Sequence, residues 1–274
     1  MILQDIINII ESVAPLSYQE NWDNSGLQVG DRNAEVHEAL LTVDVTESVV
    51  NEAISLGCDL IISHHPLIFR GLKHLTGATP QERCVIQALR HNIAIYSAHT
   101  SMDSYLHGVS GRMAEKIGVH DYRILIPSSN NTEVGLGVIG ELAEPMETEV
   151  FVEHVARVFA APNTALRWVE GENKLIRKVA ICGGAGAEFV EQAIAQGADA
   201  FVSADFKYHE LQSAYQRITV VDMDHWVSEH FTREIFEQLL SPYISTRVAR
   251  ADKSPIRYFA PIANSPSPMD KKEY

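Results

Sequence analysis

Residues 59–69, DLIISHHPLIF, constrain the fold more than any other stretch of the chain. The run Leu60-Ile61-Ile62 is short, apolar and rich in β-branched residues, which predicts a buried strand. Pro66 cannot donate to a sheet ladder and ends that strand. His64 and His65 therefore fall where a parallel strand passes into a loop, the place where open α/β sheets bind ligands. Successive strand residues face opposite ways, but at a strand end the chain can turn both rings toward one cavity.

The flanking sequence predicts the elements that such a strand needs. Residues 1–13 read as an amphipathic helix, and 21–31, NWDNSGLQVGD, as a polar turn with a short strand. ALLTVDV (39–45) is a second strand and TESVVNEAISLG (46–57) a helix, with Thr46 as its cap, Glu47 in its first turn and Gly57 at its end. A helix over 80–90, a strand over 93–99 and a helix over 108–118 continue a β-α-β-α-β alternation, which implies a parallel sheet covered on both faces. Residues 126–133, IPSSNNTE, read as a linker. Beyond them come a strand (134–142), a helix (146–159), strands at 165–170 and 178–184, a helix (187–197) and a strand (199–205). The helical stretch around DHWVSEH precedes a last strand at 245–250, and the prolines Pro261, Pro266 and Pro268 mark a loose tail.

A shift of 140 positions places Val50, Ala53, Ile54, Gly57, Asp59 and Ser63 on Val190, Ala193, Ile194, Gly197, Asp199 and Ser203. His65 then falls on Asp205. This is either a pair of related helix–strand units or the common look of any helix–Gly–Asp–strand segment. The first reading gives an α/β fold of two related three-layer lobes with mostly parallel sheets. Residues 1–126 plus 221–274 would form one lobe and 127–220 the other.

Composition narrows the partners. At 274 residues the chain can bury one large core or two smaller ones, and its 46% hydrophobic and 21% charged residues are ordinary for a soluble protein. A net charge of −14 and a pI near 5.3 argue against nucleic acid and suit a divalent cation. No apolar run approaches the roughly 20 residues of a membrane span, and the acidic first helix is no signal peptide. Cys58, Cys84 and Cys182 are odd in number and widely spaced, which points to a reducing, cytoplasmic setting.

Ligand chemistry gathers at strand and helix ends. AHTSMD places His99 and Asp103 just beyond the 93–99 strand, DHWVSEH places His225 and Glu229 on one helix face, and SADFKYHE supplies Asp205 and His209. Imidazoles with carboxylates suit Zn, Mn, Fe or Co, and enough ligands are present for two ions about 3.5–4 Å apart, sharing carboxylates. The competing reading is that twelve histidines scatter over any chain, and that HxxxE is a common solvated helix pair. His99 and His209 either orient ligands or face substrate as acid/base groups, and Asp205 is read the same way. Asp23 and Asn24 read as turn residues and Asp44 as a competitor for helix capping. The CGGAG run at 182–186 is either a tight turn or a weak phosphate cradle. His74, His91, His107, His120, His154 and His230 read as surface or packing residues.

HHP after a buried strand, then HTSMD, then a late HxxxE, with WDNSGLQVG, VDVTESVVNEAI and SADFKYHE, resemble the NIF-three-like dinuclear metal proteins, known as GTP cyclohydrolase type-two homologues. The resemblance covers nearly the whole chain and rests on the order and spacing of the motifs together. It implies His64, His65, Asp103, His225 and Glu229 as ligands of two divalent transition-metal ions (Zn, Mn or Fe), with the carboxylates as bridges. The chain departs from the family at Ser101-Met102, where Asn-Leu is common, and in the loop after Asp103, where glycines are frequent. The 127–220 segment is too short for the extra domain that some relatives insert. The resemblance also implies a toroidal homohexamer and a metal-dependent hydrolase acting on a small-molecule substrate such as a nucleotide. The alternative is a non-catalytic metal-binding scaffold or regulator acting through protein partners.

Overall fold

The computed structural model describes residues 1–159 and 165–258; the proline-rich tail lies outside the described residues. The first half runs α1 (Leu3–Val13), β1 (Gly26–Val29), β2 (Glu38–Thr42), α2 (Glu47–Leu56), β3 (Leu60–Ser63), α3 (Pro80–Arg90), β4 (Ala94–Ser97), α4 (Thr100–Asp103) and α5 (Val109–Ile117). It continues with β5 (Val119–Ser128), β6 (Asn131–Glu147), α6 (Thr148–Val158), β7 (Arg167–Val169), β8 (Leu175–Ala185), α7 (Val190–Ala195) and β9 (Ala200–Ala204). The last elements are α8 (Tyr208–Ala214), β10 (Thr219–Met223), α9 (His225–Glu229), α10 (Thr232–Leu240) and β11 (Ser245–Val248).

One sheet has the order β1-β4-β3-β2-β11 and is parallel except at β1, which runs against β4. The alternation along its strands sends Leu60 and Ile62 to one face, against α1 and α10, and Ile61 to the other, against α2 and α3. Each fully buried aliphatic side chain there contributes about 1.5–3 kcal/mol. The second sheet, β5-β6-β8-β9-β10-β7, has a parallel centre of β8, β9 and β10 between antiparallel edges. Val179, Ile181 and Val202 pack on α5 and α6, while Ala180 and Phe201 pack on α7 and α8. Both lobes are three-layered.

The two helix–strand units are built alike in detail. Gly57 and Gly197 end their helices in the left-handed region, each with φ of 74°. Asp59 Oδ2 accepts the backbone N–H of His37 at 2.7 Å, and Asp199 Oδ2 accepts that of Lys178 at 2.8 Å. Each aspartate thus ties the entry of its strand to the neighbouring parallel strand.

Several local readings change. Residues 126–133 are not a linker: they form the turn of the β5–β6 hairpin, with Ser128 paired to Asn131. The helical stretch after Asp224 breaks into α9 and α10 around His230 and Phe231. His230 lies flat on Trp226, with ring centroids 5.0 Å apart, and burial pushes its imidazole down to about 4, as suits a packing residue.

Candidate metal centre

Strands β2, β3 and β4 end level, with Thr42 opposite Ser63 and Ser63 opposite Ser97. The residues that follow therefore emerge side by side. His64 is fully buried and its Nδ1 lies 3.0 Å from the carbonyl oxygen of Ala98. A carbonyl only accepts, so Nδ1 carries the proton and Nε2 is left facing inward. His65 Nδ1 lies 2.8 Å from Asp44 Oδ1, at the end of β2, and its Nε2 points the same way. His99, just past β4, puts Nδ1 2.8 Å from Asp23 Oδ1.

The other lobe supplies the facing wall, because β10 and α9 pack with the second sheet and not, as expected for 221–274, with the first; α10 and β11 alone return to it. Asp205 follows β9 with φ of 62°, and its Oδ2 lies 2.7 Å from His225 Nδ1 at the start of α9. One turn on, Glu229 is buried and places Oε2 2.9 Å from His65 Nε2 and 3.0 Å from His225 Nε2. Its Oε1 is 3.6 Å from His64 Nε2, the same separation as that from His64 Nε2 to Asp103 Oδ1. The Nε2 atoms of His65 and His225 stand 3.4 Å apart.

Gly184 makes room for this wall. The CGGAG run is neither a phosphate cradle nor a free turn: Ser110 Oγ takes the N–H of Gly183 at 3.2 Å and Ser228 Oγ that of Gly184 at 2.9 Å. With φ of +65° and Glu229 directly over it, position 184 has no space for a Cβ.

Electrostatics follow from burial set against these contacts. Burial would push His65 and His225 down, yet Glu229 with Asp44 in one case, and Asp205 with Glu229 in the other, raise them to about 10 and about 11. Burial would raise Glu229, but the surrounding imidazoles hold it well below the usual carboxylate range. Asp103 is pushed up by burial. Asp23, its side chain fully buried, is opposed by burial but held low by hydrogen bonds from His99, Thr100 and Ser25.

Among the described residues, His64 Nε2 and Asp103 Oδ1 are buried without a hydrogen-bond partner, and Glu229 Oε2 faces only the Nε2 atoms of His65 and His225. Buried polar atoms are rarely left so, and this junction of imidazoles and carboxylates from two lobes is a set that a cation would satisfy. The ligand atoms of His64, His65 and His99 lie within 4.8 Å of one another, as do those of His65, His225 and Glu229, so His65 belongs to both groups. Either group could hold a metal ion. The donors are nitrogen and oxygen only, the set that suits Zn, Mn or Fe.

The structure thus brings together His64, His65, His99, Asp103, His225 and Glu229. It does not bring in His209: α8 carries that ring on its solvent side, exposed, with Nδ1 3.2 Å from Gln212 Oε1. Three aspartates prove to be orienting residues. Asp205 holds His225, Asp44 holds His65 while Thr46 does the capping, and Asp23 holds His99. The available signal for Asp44 was its place at the end of the parallel strand next to β3. A cavity of about 580 Å³ opens beside the cluster, walled by His65, Asp44, Thr46, Cys84 and Lys253.

Two three-layer α/β lobes whose strand ends meet at histidines and carboxylates able to hold a metal ion define the class. The chain belongs to the Duf34/NIF3 (NGG1p interacting factor 3) family, whose model matches residues 1–255. A Clostridium perfringens protein named GTP cyclohydrolase 1 type 2 homolog is 36% identical over 230 residues, covering 84% of this chain and 87% of the relative. A Staphylococcus aureus protein, SA1388, superimposes with a TM-score of 0.85 at 26% identity, covering 94% of this chain and 99% of that one. A Bacillus cereus protein related to NIF3 matches in fold over the same shares, with a TM-score of 0.85 at 24% identity. The family and the two-lobed α/β fold expected from the motifs are borne out. Among the described residues no helix is long and apolar enough to cross a membrane.

Proposed function

We propose that the protein is a dinuclear, divalent-metal-dependent hydrolase acting on a small molecule, with His64, His65, Asp103, His225 and Glu229 as ligands. The observation that carries this reading is that two groups of possible ligands share His65, while the buried His64 Nε2 and Asp103 Oδ1 beside them have no hydrogen-bond partner. Two ions held there would supply an acidified water and electrophilic stabilisation of the bond under attack. Every other contribution comes from the chain. Asp44, Asp205 and the Ala98 carbonyl fix their imidazoles with Nδ1 protonated, which leaves Nε2 free to ligate.

His99 has a different setting. Its Nε2 adjoins the ligand atoms, while the Asp23 carboxylate fixes the proton on Nδ1. In this reading His99 Nε2 takes a proton from the attacking water and returns it to the leaving group. The cavity beside His65 falls within the roughly 300–1,000 Å³ of small-molecule sites, and it meets the cluster at His65 alone, with Asp44 in the same wall. The relatives' name directs attention to GTP. The toroidal homohexamer and the cytoplasmic setting rest on the family resemblance and on three separate buried thiols.

The test is turnover of GTP, other nucleotides and phosphoesters by Zn- or Mn-loaded protein, alongside His99→Ala. Formate release from GTP would establish the cyclohydrolase form of the reading, and release of a different product another hydrolase. Lost turnover with retained metal in His99→Ala supports catalysis through that imidazole. No turnover of any compound by the loaded protein would leave the metal-binding scaffold in its place.

A further inference from the structure

Two large aromatic side chains lie in the open at the edge of the cluster: Trp22 is 59% and Phe69 44% exposed. Their ring centroids are 6.0 Å apart at an interplanar angle of 57°. Both meet His99, Trp22 at 6.0 Å and Phe69 at 6.3 Å, each nearly edge to face. His99 in turn stands 5.3 Å from His64 and 5.4 Å from His65, centroid to centroid. The exposed rings are thus one imidazole away from the ligands.

The segments that carry both rings are tied down. Asp23 accepts hydrogen bonds from the Thr100 N–H at 3.1 Å, the Thr100 hydroxyl at 2.6 Å and the Ser25 hydroxyl at 2.8 Å. Asn24 Nδ2 donates to the carbonyl of Ile68 at 2.6 Å, which ties the Trp22 turn to the loop that carries Phe69. Residues 23–25 therefore spend their side chains on tying the turn to the end of β4 and to the 66–69 loop, while the Trp22 ring is left in the open. A scattered exposed apolar residue needs no explanation. Two aromatics set side by side on tethered segments beside inward-facing imidazoles do, since π-faces whose backbone is already placed bind another ring at lower entropic cost.

We propose that Trp22 and Phe69 hold a flat heteroaromatic ring of the substrate at the mouth of the metal centre, against the edge of His99. This deepens the hydrolase reading and rests on it. Stacking on Trp and Phe accepts any base with a π-face, so the platform supplies position and affinity, while other groups must choose among rings. The substrate class is accordingly a nucleotide, nucleoside or similar compound that carries a flat heteroaromatic ring. A bare sugar phosphate would lack the part that these rings grip.

Equilibrium dialysis of the metal-loaded protein with GMP, AMP and ribose phosphate tests this, with metal content and mass by light scattering read on the same samples. GMP or AMP should bind the native protein more tightly than ribose phosphate. Trp22→Ala and Phe69→Ala should each weaken nucleotide binding about tenfold, and Trp22→Phe by less. None of the three should change ribose phosphate binding or metal content. Nucleotides that bind no better than ribose phosphate, or equal binding by Trp22→Ala, overturn the platform while intact metal content leaves the metal centre standing. A native protein that takes up no metal removes the metal-centre reading itself. A smaller assembly in Trp22→Ala with nucleotide binding unchanged would also overturn the proposal, and would make the two rings a contact between copies of this chain.

Discussion

Replacing Gly184 with alanine separates the space that Glu229 needs from the strain that any alanine would suffer there. The φ of +65° costs an L residue about 1–2 kcal/mol. A Cβ would overlap Glu229 Oε1 and stand 3.2 Å from Glu229 Cδ and 3.4 Å from His225 Cε1. Restoring ordinary contact requires the carboxylate to move by about 1 Å, whereas a metal site tolerates about 0.2 Å in its ligand distances. The far end of a glutamate can swing, so the added cost to stability is small while the ligand position is lost. Gly197→Ala is the matched control, with φ of +74° and open space where the methyl would go. Both variants should lose about 1–2 kcal/mol in urea denaturation. Only Gly184→Ala should lose metal, with at least tenfold weaker uptake in a chelator competition. Full metal binding by Gly184→Ala, or equal metal loss in the control, would refute the claim that this glycine is kept for Glu229.

Further outcomes follow from contacts away from the ligands themselves. Asp44→Ala and Asp205→Ala remove the hydrogen bonds that orient His65 and His225, and each should weaken metal binding about 10–100-fold while His209→Ala does nothing; chelator competition reads all three. Asp252 is buried between Arg233, the Trp226 indole N–H and the Val43 N–H, so Asp252→Ala strands a buried cation and should cost about 3–5 kcal/mol in urea melts; a loss below about 1 kcal/mol would show that the pair is not buried in solution. Glu82 is held at about 2, against an ordinary 4.5, first by the Thr76 N–H and hydroxyl and then by the Ala78 N–H and Thr79 hydroxyl. A depressed carboxylate contributes stability that is present above its unfolded value and fades as the pH falls toward its folded one. The urea midpoint of the native protein should therefore drop more steeply between about pH 5 and pH 3 than that of Glu82→Gln; parallel curves would refute the assignment.

What could be read from the sequence was local. Thr46, Gly57 and the 47–56 pattern agree with one another and with burial, so the first lobe's helices and strands could be placed closely. The double histidine announced itself because Pro66 ends its strand. The β5–β6 hairpin was hidden because β5 is an edge strand, exposed at both ends of its turn, and its polar residues look like a linker. Asp23 and Asp44 were hidden for another reason. Each has a plausible job close by in sequence, whereas its true partner is a histidine 76 or 21 positions away. His209 misled in the opposite sense: the motif around it is right, but the turn of α8 carries its ring outward. Gly184 reads as a turn glycine until Glu229 is seen above it.

The central claim is that the cluster between the lobes is a dinuclear metal centre, and elemental analysis of protein purified without added metal or an affinity tag tests it most directly. About two transition-metal ions per chain, falling sharply in Glu229→Ala without unfolding, is the predicted result. Near-zero content with no uptake on adding Zn or Mn would contradict it, and would leave six converging side chains as a polar junction between two lobes.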